Sequence, residues 1–507
     1  MKVFAQLKAL ILAMLVLTPV LQAAPLRIQL TGSIEPENPQ TGNFDIVQDQ
    51  ARRVNVLCQE SGGEGEQLLA WGIRATIQQV QIHGFKADTA YTCMARYGTT
   101  QLGGSNPVTL VTLPLPSDLI PPTVVVPAGN PVDIAYTLYN VGNVYYAGDI
   151  DEGFDRTLIR LSNNYLVVLD AEGNIRWYLR GPGAGDLDVS FIGDDQFLFG
   201  GMSLPSYAPT VVGLDKEVKF VATSEPDDDF ITTGAYNHDA GLSRDGTSIF
   251  ALAYAKHPEY DAEGFVVKQF SLENRLIWNW DSFSAIESGQ LSDVSAIPAL
   301  EGDPFHANTI WDRWEDGKQV LYVSMRNNSM IIKIDHSTKD IVWHMGFEGD
   351  FELLEADGTP ADLSRWFFNQ HDIKYDDGIM LVHDNGYDRS FLGGRSYTRV
   401  LRLQVDEAAM TVRILSEYTE DDWLEPFWGG YDVLENGHQL IAMGHCEFCE
   451  VPDSKRSALL ELDAANKPVW RAEFSSDTVM VYRSERIGGC ELFNSLTYCP
   501  TLVNQRE

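Results

Sequence analysis

Tyr165-Leu166-Val167-Val168-Leu169-Asp170-Ala171-Glu172-Gly173-Asn174-Ile175-Arg176-Trp177 reads as a strand, an acidic turn with Gly, and a second strand ending in Trp. The same sentence returns at Gln269 to Trp278, at Ile332-Lys333-Ile334-Asp335 through Trp343, and at Leu460-Glu461-Leu462-Asp463 through Trp470. Looser copies stand at Val212-Gly213-Leu214-Asp215 and at Leu401 to Asp406. Each copy is loose by itself, but the recurring terminal Trp argues against unrelated hairpins. Six copies at irregular spacings of roughly 45 to 70 residues predict an all-β fold, a six-bladed β-propeller over residues 135–507. A propeller gathers side chains from several blades at one central channel, so its site residues should be scattered along the chain.

Working outward, Pro114, Pro116, Pro121, Pro122, Pro127 and Pro131 mark a connection over 114–134. Upstream, residues 24–113 alternate apolar and polar in short runs. Tyr91 stands two residues before Cys93, after Ala87-Asp88-Thr89, like the tyrosine corner of immunoglobulin and fibronectin sandwiches. A small β-sandwich is expected, in which Cys58 and Cys93 could be bridged. Residues 1–23 read as a signal peptide: Lys2 and Lys8, an apolar run from Ala9 to Leu17, and a small-residue cleavage site at Ala23. That run is short for a membrane span. The expectation is a periplasmic or secreted protein without membrane insertion.

The 507 residues are 44% hydrophobic and 21% charged, enough for more than one buried core. A net charge of −35 repels nucleic acid and anionic membranes, and confines any anion site to a local cationic pocket. Six cysteines in three local pairs fit an exported, disulfide-bonded chain. Cys446-Glu447-Phe448-Cys449 reads as a third bridge, with half a zinc site beside His445 as the alternative.

Three histidines share one phase of the repeat. His238 lies in Tyr236-Asn237-His238-Asp239, His306 in Pro304-Phe305-His306-Ala307-Asn308, and His371 in Asn369-Gln370-His371-Asp372. His238 and His371 are each followed by an aspartate, an apolar residue and then a hairpin, and His306 by Ala307-Asn308 ahead of its strand. Arg326 directly follows one of the intervening strands. Asp384-Asn385-Gly386 reads as a tight turn after the strand that follows His371. Each histidine alone is more simply a hydrogen-bonded structural residue; matching phase favours convergence of the set. Three imidazoles could ligate a metal, but a guanidinium in the same shell would repel a divalent ion. Arginine with imidazoles suits a tetrahedral oxyanion such as sulfate or phosphate. A neutral imidazole can attack such a centre, and a second can protonate the departing oxygen.

Asn237-His238-Asp239, Phe305-His306-Ala307-Asn308, Ser324-Met325-Arg326, Trp343-His344-Met345-Gly346, Gln370-His371 and Asp384-Asn385-Gly386 together resemble the bacterial arylsulfate sulfotransferases. These are exported six-bladed propellers with an N-terminal β-domain, and they use no nucleotide sulfate donor. The resemblance implies His371 as the nucleophile that becomes sulfated. Arg326, His238 and His306 then serve as catalytic partners, and Asn308 as a substrate-binding residue. Asn327 departs from the family, where a His more usually follows the arginine. The implied reaction moves a sulfuryl group from an aryl sulfate to a phenol, without metal or cofactor. The expected partners are small aryl sulfates and phenols, not nucleic acid, with a homodimer as the one assembly considered. A propeller without activity, serving as a binding module, is the alternative. An oxidoreductase propeller is the third reading, weakened for haem by the lack of a CxxCH.

Overall fold

The computed structural model describes residues 27–504 apart from 63–64, 98–103, 147–158, 182–186, 202–207, 223–230, 258, 261–262, 293–302, 422, 426, 445–456 and 477–478. The signal-peptide segment and the Cys446/Cys449 pair therefore lie outside the described residues. The fold is all-β.

Near the N-terminus, one long strand, Asn38–Glu60, organises everything around it. Its first half pairs with Ile28–Glu35 and Arg74–His83, and its second half with Gln67–Ala70 and Ala90–Tyr97. Cys58 and Cys93 face each other across that second ladder and are bonded. The Tyr91 hydroxyl accepts from the Lys86 amide at 3.0 Å, the backward tether expected of a tyrosine corner.

Six further sheets follow, four of four strands and two of five. The six repeat copies are the outer hairpin of each sheet, as with Ile159–Asp170 against Ile175–Arg180 and Ala458–Leu462 against Pro468–Glu473. The repeated Asp has a mechanical cause. Asp170, Asp335 and Asp463 each turn a carboxylate oxygen back onto two amides of their own turn. The repeated Trp joins sheet to sheet. The Trp177 indole donates to Leu214 O at 2.9 Å and Trp278 to His336 O at 2.9 Å, each in the sheet that follows. Trp470, in the last sheet, donates to Ala171 O of the first at 3.0 Å. The fourth repeated Trp, Trp343, is buried with its indole nitrogen unpartnered.

The ends of the chain are tied together. Val479–Ile487 completes the sheet begun by Tyr136–Tyr146, so the C-terminal strand closes the first sheet. The proline-rich stretch is not only a connection: Thr123–Val126 pairs along Pro468–Glu473 as an edge strand of the last sheet. The second bridge, Cys490–Cys499, holds a terminal segment against the N-terminal domain, where Ser495 bonds Glu66 and Leu496 N donates to Gln67 O at 2.9 Å. One continuous core runs from Phe44 and Tyr91 through Tyr136 and Trp177 to Trp470. No helix among the described residues is long and apolar enough to cross a membrane.

Candidate functional site

Four inner strands carry a register shift at the same level. The shifts fall between Val481 and Ser484, Asn237 and Ala240, Ala307 and Thr309, and His371 and Ile373. A bulge inserts a residue and re-aims its neighbours. Here it brings Tyr482, His238 and His371 together, with Arg483, Asp239 and Asp372 as their next residues, and Asn308 in the bulge that follows Ala307. His238 and His306 sit at φ 53° and 48°, and Asp372 at 41°, a left-handed conformation unfavourable for such side chains. His238 lies inside the strand Ile231–Leu242, and His371 opens the strand His371–Asp376, rather than standing ahead of the hairpins. The bulge makes the difference: it lets an inner strand present consecutive residues as a loop would.

The expected imidazoles do converge. Ring centroids of His238 lie 4.7 Å from His306 and 6.3 Å from His371. The His238 and His306 Nε2 atoms are 3.0 Å apart, a hydrogen bond that needs one proton between them. His306 Nδ1 faces Asp303 Oδ2 at 2.6 Å, while Asp303 Oδ1 accepts from the His306 amide at 2.8 Å. On the other side, His238 Nδ1 lies 3.2 Å from the Tyr482 hydroxyl.

His371 is held differently. Its Nδ1 is 2.7 Å from Asn385 Oδ1. The Asn385 NH₂ group donates to Glu425 O and Trp428 O, both at 2.9 Å, which leaves only the carbonyl oxygen to face the ring. His371 Nδ1 therefore carries the hydrogen, and Nε2 keeps its lone pair. Burial, then the charges of Arg326 and Arg483, hold its pKa well below the ordinary imidazole value. His371 is thus neutral near pH 7. Burial, then His306, lowers His238 likewise.

Asp384-Asn385-Gly386 is not a simple hairpin turn. Asp384 ends a strand and is buried against Arg389 and Arg399. Of the three, only Gly386 has a positive φ, at 65°. Its real use is to hold Asn385 under His371.

Arg326 stacks 4.9 Å over the Phe427 ring, and its guanidinium donates to Asn327 Oδ1 at 2.7 Å. Asn327 Nδ2 in turn donates to Asp303 O at 2.7 Å. The departure from the family's usual residue thus latches the arginine to the turn that carries His306. Asn308 has a positioning contact: its Nδ2 donates to Gln370 O at 2.8 Å, immediately before His371. Sequence reasoning missed Asp303, Tyr482 and Asn385 as site residues. Asp303, three residues before His306, carried the one local signal that could have been read.

Below this layer lies another. Arg483 donates to Gly429 O at 2.6 Å and to Thr309 Oγ1 at 3.2 Å, and approaches Asp188 and Asp372 at 3.5 and 3.9 Å. It floors the histidine cluster and roofs a cavity of about 370 Å³ bordered by Asp188, Asp239, Asp372, Lys374 and Glu485.

Taken together, the upper layer holds two buried imidazoles of lowered pKa, His238 and His371, with the Nε2 of His371 open and the positive charge of Arg326 acting on it. Residues 143–483 match the model of the arylsulfotransferase (ASST) family. The chain belongs to that family, whose general activity is transfer of a sulfuryl group. A search of curated proteins finds no match. Among solved structures, similarity extends to a dihydro-heme d1 dehydrogenase, NirN, at 14% identity over 86% of this chain and 76% of that one, with TM-score 0.30. A nidogen/laminin complex matches at 11% identity over 70% and 100%, with TM-score 0.36. The hydrazine synthase of Kuenenia stuttgartiensis matches at 10% over 69% and 86%, with TM-score 0.34.

Proposed function

We propose that this chain is an arylsulfate sulfotransferase that works by a two-step exchange through a sulfated His371. The observation that carries the reading is the fixed tautomer of His371. Asn385 keeps hydrogen on Nδ1, so the Nε2 lone pair faces a site whose charge comes from Arg326.

In the first step Nε2 forms a bond to the sulfur of an aryl sulfate. The bond from sulfur to the aryl oxygen breaks, its electron pair leaves with the phenolate, and an imidazole of the His238–His306 pair supplies a proton. Arg326 offsets the charge spread over the sulfuryl oxygens. In the second step the oxygen of an acceptor phenol attacks sulfur, the N–S bond breaks, and its pair returns to Nε2. The acceptor's proton goes back to the imidazole pair, so the site ends as it began.

In this reading the six sheets are blades of one closed propeller, supported by the Trp470 tie from last sheet to first. The N-terminal domain is a sandwich around the Cys58–Cys93 bridge. Export by the 1–23 segment suits the two disulfides. Aryl sulfates and phenols are the ligands, with no cofactor.

The test is release of 4-nitrophenol from 4-nitrophenyl sulfate by the purified protein, with and without added phenol. Release that requires the phenol, together with phenyl sulfate as product, supports the reading. Release without an acceptor indicates a sulfatase, and none with any donor indicates a binding module.

A further inference from the structure

We propose that Asp303 and Tyr482 are positioning residues for the mobile proton of this reaction, as the two ends of one hydrogen-bonded chain, Asp303–His306–His238–Tyr482. The inference rests on the transfer reading above and adds to it where the proton resides and what holds it.

Each link constrains the next. A carboxylate only accepts, so the 2.6 Å contact of Asp303 Oδ2 places a hydrogen on His306 Nδ1. Asp303 Oδ1 binds the amide of the same residue, so both carboxylate oxygens serve His306. The exchanging nitrogen of His306 is therefore Nε2, which shares its single proton with His238 Nε2. His238 Nδ1 is closed by the Tyr482 hydroxyl at 3.2 Å.

Two protonation states of this chain are self-consistent. In the neutral one, Tyr482 donates to His238, His238 donates to His306, and His306 donates to Asp303. With one proton added, the two upper links reverse: His306 donates to His238, and His238 donates to the Tyr482 oxygen. The added charge then lies on His306 against the Asp303 carboxylate. It does not lie on His238, which burial and the neighbouring charges of His306, Arg483 and Arg326 keep neutral.

Within the chain His306 is the member nearest to solvent. The His306 side chain is 14% exposed, while His238 and Tyr482 are buried. His306 is thus the catalytic acid and base, and the other three residues set its state. The protonated chain lends its proton from His306 Nε2 to the departing phenolate oxygen, and the neutral pattern is restored when the His238 hydrogen moves from Nδ1 to Nε2 and the Tyr482 hydroxyl turns back to Nδ1. The neutral chain takes one from the attacking phenol. Asp303 balances the charge in the first state, and Tyr482 can donate or accept in either.

The experiment measures kcat/KM for donor sulfates in the full chain, which in a two-step exchange isolates the first step. The donors are 4-nitrophenyl, 4-chlorophenyl and phenyl sulfate, in order of rising leaving-group basicity. Wild type is compared with Asp303→Asn and Tyr482→Phe, with thermal unfolding as the folding check. A nitrophenolate needs little protonation, so both variants should stay within about 5-fold of wild type on that donor. On phenyl sulfate the loss should reach about 10²-fold in Asp303→Asn, the usual scale of acid catalysis, and less in Tyr482→Phe. A loss equal across the three donors, or no loss, overturns the proposal while transfer by wild type stands. No transfer by wild type from any donor overturns the reading and the proposal together. If Asp303→Asn fails to fold, the donor dependence of Tyr482→Phe decides.

Discussion

Two layers of side chains, one residue apart on the same inner strands, have opposite electrostatic characters. His238, His371 and Tyr482 form the upper layer; Asp239, Asp372 and Arg483 follow them directly in sequence and form the lower one. The lower layer is densely paired. Burial alone would raise Asp372, but Lys374 and Arg483 hold it below its ordinary value, and the Tyr431 amide donates to it at 2.8 Å. Burial and Asp188 push Asp239 well above the carboxylate range. In the upper layer, by contrast, the His371 Nε2 has no hydrogen-bond partner among the described residues, while its Nδ1 is held by Asn385. The difference separates two uses of a buried polar group: a satisfied network specifies the packing, and a single withheld partner leaves chemistry to be done.

Substitutions can separate the layers. The largest effect should come from His371→Asn, which keeps a polar side chain but removes the nucleophilic nitrogen. Acceptor-dependent release from 4-nitrophenyl sulfate should fall by about 10⁴-fold or more, with unchanged thermal unfolding. Full activity would remove His371 from the mechanism. Arg483→Met should do the reverse and act first on stability. It leaves Asp188 buried without its cation and Asp372 with Lys374 alone, at a cost of about 3–5 kcal/mol by denaturant unfolding. An unchanged midpoint would show that the lower layer does not depend on this residue.

Arg326→Ala should cost about 10²–10³-fold in kcat/KM, the scale for losing one donor to a developing anion. If stability fell and activity did not, Arg326 would belong with the lower layer. The smallest expected effect is that of pH. The His371 pKa is depressed, so its lone pair persists below the ordinary imidazole value of about 6.5. The rate of the first step, followed as a burst of 4-nitrophenolate, should pass through pH 6.5 without a break and fall only well below it. A midpoint near 6.5 would mean that His371 is solvated and outside the field of Arg326 and Arg483.

The division between legible and illegible follows the range of the forces involved. A β-hairpin is local: alternating residues, an Asp that caps its own turn and a Gly are all within a dozen positions. The six hairpins were therefore readable, and the common phase of His238, His306 and His371 was readable with them. Resemblance of short motifs led further, to His371 and Arg326. It could not show why Asn327 is tolerated, because that answer is a bond to Asp303 O twenty-four residues away. Nor could spacing show that His238 and His371 lie within strands, since the bulges are set by pairing with other strands.

By itself, then, the sequence determined an all-β chain of repeated hairpins and which imidazoles belong to one set, while the pairing of the cysteines was left to the structure. Tertiary structure alone decided which partner each imidazole nitrogen meets, and that the Nε2 of His371 meets none among the described residues. That choice depends on Asn385, whose NH₂ group is held by carbonyls forty and forty-three residues away. It depends equally on Tyr482, brought to His238 across 244 residues by the closing strand. A tautomer is set by whichever donor or acceptor lies within about 3 Å, and in this fold those neighbours come from distant strands.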